Sequence, residues 1–207
     1  NNLSYWIESG CNTTNTTIWL KLNLSASELK HIHMYYNAPN EISKENGTAV
    51  FTFFDDFNDD IIDTSKWQGT TGFNESNGTL IGTNSTYRIY STNTFTGNYI
   101  VTTRHKTVIS TSYGYHAGGF YASPSNGYNI LFYGNNYWFF SDGLWYGAYS
   151  FPLVNNWVIM DVYSIGASSY VKLVVESNKT TITRSQSNTG ISGEYLALGK
   201  RNDNSYS

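Results

Sequence analysis

Charge is scarce in this chain. Asp, Glu, Lys and Arg make up 13% of its 207 residues, about half the fraction usual in soluble proteins. Asn, Ser, Thr, Gly and Tyr take their place, so the surface must be largely hydroxyl and amide. The net charge is -3 and no basic run occurs, which leaves nothing to neutralise phosphates and makes nucleic acid an unfit partner. Cys11 is the single cysteine, so no disulfide framework and no cysteine-based zinc site can form within the chain. A lone cysteine of this kind is ordinarily a small buried or idle residue; an intermolecular disulfide is the sharper alternative. No stretch approaches 18 apolar residues, so no membrane-spanning helix is expected. The absence of a signal peptide makes the chain read as a soluble, processed piece. Helix signals are nearly missing too, apart from one turn near Ser27-Glu-Leu-Lys30.

Period-two patterns fill the space that helices leave. In residues 1–50, Ile18, Leu20, Leu22 and Leu24 alternate with Trp19, Lys21 and Asn23, and Ile32, Met34 and Tyr36 alternate with His31, His33 and Tyr35. Two short strands are expected there. His31 and His33 would share a strand face, as an exposed or hydrogen-bonded pair rather than metal ligands, since no third ligand is near. Asn46-Gly47 is expected to turn the chain. Beyond residue 67 strands are expected at 79–81, 87–91, 98–109, 115–121, 128–133, 137–141, 144–149, 157–163, 169–176, 180–184 and 194–198. Asp142-Gly143 between apolar runs marks a hairpin, because both residues tolerate positive φ, and Ser164–Ser169 joins a second. The class is all-β.

Between these regions lies Phe51-Thr-Phe-Phe-Asp-Asp-Phe-Asn-Asp-Asp-Ile-Ile-Asp-Thr-Ser-Lys-Trp67, which holds five of the eight aspartates between aromatic anchors. Carboxylates so placed cap turns or hold a hard cation. Asp56-x-Asn58-x-Asp60 imitates the start of an EF-hand loop but has Ile61 where glycine is required and Trp67 at the closing position. A different oxygen cage, using Asp55 or Asp56 with backbone carbonyls, would make these two residues calcium ligands.

Nine Asn-x-Ser/Thr sequons occur, at Asn2, Asn12, Asn15, Asn23, Asn46, Asn74, Asn77, Asn84 and Asn178, eight of them before residue 87. Glycans there would keep a low-charge surface soluble and require an extracellular location.

Leu3-Ser-Tyr-Trp-Ile-Glu8, Ile18-Trp-Leu-Lys-Leu22 and Met34-Tyr-Tyr-Asn-Ala-Pro39 resemble the second half of a small β domain of uncharacterised function that recurs in archaeal and bacterial surface proteins. In those proteins it runs into a concanavalin A-like lectin/glucanase sandwich opening with Phe-x-Phe-Phe-Asp-Asp-Phe and a later Trp, which residues 51–67 resemble. The resemblance implies a partial small domain at 1–50 and a jelly-roll β-sandwich at 51–207. It also implies a longer parent protein, with earlier strands of the small domain missing and the sandwich lacking its last strand. An edge left open in that way would pair with a strand from elsewhere.

Glucanases of this fold carry Glu-x-Asp-x-(x)-Glu on one strand, with the acids on one face. All seven Glu residues here are isolated, so catalysis is not expected. Aromatics are abundant, at 18 Tyr, 11 Phe and 6 Trp, and rings on both faces of a strand cannot all be core. Tyr113, Tyr115, Trp138, Trp145 and Tyr149 are the candidate ligand-binding rings, with core packing and protein contact as the plainer reading. The role expected is a non-catalytic extracellular module for attachment through glycan or surface recognition, binding glycans or cell-surface proteins. The second reading is a structural subunit of a filament, envelope lattice or virus particle assembled by strand pairing. Glycoside hydrolysis is the third.

Overall fold

The computed structural model describes residues 3–9, 14–35, 43–82, 88–106, 115–121, 129–133, 136–141, 144–150, 155–187 and 191–200. The chain divides into two compact units, Asn1–Asp56 and Phe57–Ser207. The division falls inside the 51–67 stretch and sorts its aromatic residues.

The first unit holds β1 (Ser4–Ser9), β2 (Thr17–Lys21) and a one-turn helix, α1 (Gly47–Val50). The strands pair antiparallel, with Trp6 opposite Trp19 and Tyr5 opposite Leu20. A two-stranded ribbon is marginal by itself in water, and aromatic packing supports this one. Trp6 meets Phe51 and Phe54 edge-on, with ring centroids 5.8 and 4.9 Å away. Trp19 meets Phe51 at 5.4 Å, and Phe51 stacks on Phe54 at 5.6 Å. Such pairs add to the area they bury. Asn46-Gly47 is not a simple turn: Asn46 caps α1, its side-chain oxygen accepting the Ala49 N–H at 3.0 Å. Gly47 packs under Phe54, whose ring a Cβ there would strike.

One expectation for this unit needs correcting. Residues 31–35 form no strand, although their apolar residues alternate, and Met34 and Tyr35 are exposed. Alternation makes a strand only where a neighbour takes up its hydrogen bonds and one face is buried. His31 and His33 therefore lie exposed in irregular chain. The turn expected near Ser27–Lys30 forms at Ala26–Ser27, where the Glu28 N–H donates to the Ser25 carbonyl at 3.0 Å and the Glu28 carboxylate accepts the Ser25 N–H at 2.8 Å.

The second unit holds β3 (Trp67–Gln68), β4 (Phe73–Glu75), β5 (Leu80–Gly82), β6 (Arg88–Gly97), β7 (Tyr99–Lys106) and β8 (Tyr115–Tyr121). These are followed by β9 (Asn129–Tyr133), β10 (Asn136–Ser141), β11 (Leu144–Ser150), β12 (Trp157–Ile165), β13 (Ser168–Val175), β14 (Thr181–Ser187) and β15 (Ile191–Lys200). The pairings are antiparallel throughout. Seven strands make one sheet in the order β11-β10-β9-β8-β15-β6-β3; four make another, β14-β13-β12-β7; β4 and β5 form a separate pair. The expected meander is β9-β10-β11, and Ser141 stands opposite Leu144, while Asp142 and Gly143 lie outside the described residues. The second hairpin is tighter than expected. β12 and β13 run on until Ile165 faces Ser168, and Gly166, at φ +59°, opens the two-residue turn. β15, the last described strand, is interior to its sheet, between β8 and β6.

The core lies between the two large sheets. β12 and β13 turn Val158, Met160, Val162, Val171, Leu173 and Val175 inward; β6, β8 and β15 supply Ile89, Phe95, Phe120, Leu196 and Ala197. Gly118 on β8 shows how closely the sheets approach. A Cβ there would come within 2.8 Å of Thr103 Cγ2 on β7 and 3.4 Å of Met160 Cε on β12. Trp67 is buried and stacks on Phe57 at 5.9 Å. Among the described residues no helix is long and apolar enough to cross a membrane.

Candidate functional site

Alternation decides what the four-stranded sheet offers on its outer face. With the aliphatic parity of β12 and β13 turned inward, the opposite parity sets Trp157, Ile159, Asp161 and Tyr163 beside Tyr170, Lys172, Val174 and Glu176, all half-buried. β7 adds Ile100, Thr102, Arg104 and Lys106, which are exposed. The register sets Asp161 between Thr102 and Lys172, and Tyr163 between Ile100 and Tyr170.

Side chains cross-link these rows. Thr102 Oγ1 donates to Asp161 Oδ1 at 2.8 Å. Tyr163 and Tyr170 stack with centroids 3.9 Å apart and planes 13° from parallel. Partial burial, with the nearby Asp161 carboxylate second, raises the Tyr163 pKa above the ordinary phenol value. At the other end Arg104 reaches across β12: its Nε and Nη2 donate to Glu176 Oε1 and Oε2 at 2.6 and 2.9 Å. The guanidinium lies 4.0 Å from the Trp157 ring centroid on the way. Beside this group is a shallow depression of about 360 Å³ lined by Asn155, Asn156, Trp157, Glu176 and Ser177. Asn155 takes φ +61°, and Ser177 Oγ donates to Asn156 Oδ1 at 3.3 Å. An indole edge, two amides, a hydroxyl and an ion-paired carboxylate thus surround one small polar hollow.

The rings singled out from sequence lie elsewhere. Tyr113 is outside the described residues. Tyr115 opens β8 opposite Phe132 and Lys200. Trp138 stands on β10 opposite Leu131 and Ala148, and Trp145 and Tyr149 stand on β11 opposite Phe140 and Tyr137. The side chains of these four lie outside the described residues, so only their backbone positions are known. Cys11 is outside them as well.

Asp59 and Asp63 engage their own turns, and Asp60 reaches the 76–79 loop. Asp59 Oδ1 accepts the Ile61 N–H at 3.4 Å, Asp60 Oδ1 the Asn77 N–H at 2.7 Å, and Asp63 Oδ1 the Ser65 N–H at 2.9 Å. Bonds from Ser65 hold the Asp63 carboxyl below the usual carboxylate range. Asp55 is half-buried and Asp56 exposed. Among the described residues, no group of three or more His, Cys, Asp or Glu gathers to hold a metal ion. Of the sequons, Asn15, Asn23, Asn46, Asn74, Asn77 and Asn178 are exposed; Asn2, Asn12 and Asn84 lie outside the described residues.

No curated protein matches this chain. A family model described as a domain of unknown function, DUF2341, matches residues 1–70, so a small uncharacterised domain lies at the N-terminal end of the sequence, spanning the first unit and continuing through Trp67.

Proposed function

We propose that this protein is a non-catalytic module of an extracellular surface glycoprotein that attaches through glycan recognition, its second unit being a concanavalin A-like sandwich. The observation that carries the reading is the hollow beside Trp157. Sugar hydroxyls are bound by amide, hydroxyl and carboxylate groups beside an aromatic side chain, and Asn155, Asn156, Ser177 and Glu176 supply that set next to Trp157. The bidentate ion pair with Arg104 occupies both oxygens of Glu176. That suits a fixed acceptor and ill suits a general acid, which must carry and release a proton. Two facing antiparallel sheets of seven and four strands support the sandwich assignment. Six exposed sequons in a low-charge chain support the extracellular location. The reading carries no cofactor; calcium at Asp55 and Asp56 is kept only as a structural alternative.

The deciding experiment is a glycan array followed by calorimetry on the best binder, with hydrolysis assayed on the same panel. Saturable binding that Trp157→Ala weakens at least tenfold, without turnover, is the result expected. A blank array would remove the glycan reading, and turnover of any polysaccharide would remove the non-catalytic one.

A further inference from the structure

The four-stranded sheet carries charge of the sign opposite to the chain's. From Tyr99 to Lys106 and from Trp157 to Ser187 it holds five cations (Arg104, Lys106, Lys172, Lys179 and Arg184) against two carboxylates (Asp161 and Glu176), whereas the whole chain has a net charge of -3. Both carboxylates are already engaged. Asp161 accepts from Thr102 and stands opposite Lys172 in register, and both oxygens of Glu176 accept from Arg104. Lys106 and Lys179 are left over: both are exposed, and neither forms an ion pair among the described residues.

The two lysines belong to the same end of the sheet. Lys106 is the register partner of Trp157, and directly opposed residues share a face, with Cβ atoms about 4.5–5.5 Å apart. The Glu176 N–H donates to the Trp157 carbonyl at 3.0 Å, so Lys106, Trp157 and Glu176 form one row across β7, β12 and the end of β13. Lys179 lies in the 176–180 turn, two residues past Ser177, and its N–H closes that turn on the Val175 carbonyl at 2.9 Å. Both lysines therefore sit on segments that border the hollow beside Trp157. The adjoining stretches 107–114 and 151–154 contain no Asp or Glu, so neither brings an acid to them.

We propose that the sugar taken by this hollow is acidic: a uronic acid residue whose carboxylate is held by Lys106 and Lys179 while Asn155, Asn156 and Ser177 meet its hydroxyls. The proposal deepens the glycan reading above and rests on it. A surplus of one sign in a low-charge chain draws a ligand of the other sign, and a compact charge on a flexible stem suits an ion caught at the rim of an open site. Arg104 does not serve here, because its fork is committed to Glu176. A neutral sugar gains nothing from the two ammonium groups. An acidic one adds charge-assisted hydrogen bonds, which are roughly twice as strong as neutral ones.

Calorimetry on the full 207-residue chain tests this with oligomers of galacturonic, glucuronic and mannuronic acid, each beside its carboxyl-reduced, neutral counterpart. At low salt at least one acidic oligomer should bind about tenfold more tightly than its own reduced form, and the preference should shrink as salt rises, since exposed charges are screened. Lys106→Gln and Lys179→Gln should each cut the acid-to-neutral ratio about threefold, and the double variant should remove most of it. The ratio is the readout because a loss of folding, or of the hollow itself, lowers both affinities together. Reduced oligomers bound as tightly as acidic ones overturn the acidic specificity and leave the glycan reading standing. A preference unchanged in the double variant overturns the role of the two lysines. A polyglutamate peptide bound as tightly as the best uronate overturns the sugar and gives the site to an acidic peptide. Binding of no sugar at all, acidic or neutral, removes the glycan reading and this proposal with it.

Discussion

The Arg104 guanidinium lies 4.0 Å from the centroid of the Trp157 ring, stacked on a residue two register steps from its own position on the neighbouring strand. It arrives there because Glu176, just past the end of β13, accepts from its Nε and Nη2. The indole is thereby pinned between the sheet and a planar cation. One residue sets the orientation of both groups that border the hollow.

Arg104→Ala should therefore act on two readouts. Half of the Arg104 side chain is exposed, so the stability lost with the ion pair and the stacking is modest, about 1 kcal/mol. Glycan affinity should fall more, since Trp157 and Glu176 both lose their support. Arg104→Lys keeps the charge and lacks the fork; it should recover most of the stability and little of the binding. Thermal melts beside calorimetry separate the two effects, and equal rescue of both would count against orientation as the role of Arg104.

Gly118 should tolerate no side chain. Its φ of +143° disfavours any L-residue, and a Cβ would press on Thr103, Leu198 and Met160 from both sheets. Gly118→Ala should cost about 1–3 kcal/mol or more, as overpacking of a dense interior does. Chemical denaturation checks this. The double variant Gly118→Ala, Met160→Val should recover only part of the loss, because the backbone strain persists.

Stability should fall in acid through His105. Its ring points inward from β7 with both nitrogens shut off from solvent, and burial pushes its pKa down to about 3. In the unfolded chain the same ring has its ordinary value near 6.5. Between these two values the unfolded state binds a proton that the folded state refuses, so stability is complete above about pH 6.5 and declines as pH falls toward 3. The slope approaches about 1.4 kcal/mol per pH unit. Urea midpoints measured from pH 7 to 4 should show the decline, and His105→Gln should flatten it. A wild-type profile as flat as the variant's would show that the folded ring titrates normally.

Glycans are expected at the exposed sequons Asn15, Asn23, Asn46, Asn74, Asn77 and Asn178. At Asn46 the side-chain oxygen caps α1, and at Asn178 it accepts the Thr180 N–H at 3.0 Å. Glycosylation uses the amide nitrogen, so both bonds can persist beside a sugar. Peptide mapping of native material, with enzymatic conversion of glycosylated Asn to Asp, counts the occupied sites. Unmodified peptides at all six would dismiss the expectation.

Strand positions were legible from the residues alone. A strand was expected at 157–163 and β12 forms there, but both of its parities are largely apolar, so the structure decided that Val158, Met160 and Val162 face the core and Trp157, Ile159, Asp161 and Tyr163 do not. The positions of most strands followed from alternation and from the turns between them. Turn capping was one of two roles the sequence offered for the aspartates of 51–67; Asp59 and Asp63 accept from backbone N–H groups two residues on, while Asp60 accepts from Asn77, 17 residues away, a partner no local pattern names. Tertiary structure decided the rest. Residues 31–35 have a strand's period and form none, because a strand needs a partner that no local pattern names. The rings of 51–67 went two ways, Phe51 and Phe54 to Trp6 and Trp19, and Phe57 to Trp67. The candidate site joins Arg104 to Glu176, 72 residues away. A pair at that separation depends on which strands neighbour which, and strand order is set by packing over both sheets rather than by residue type.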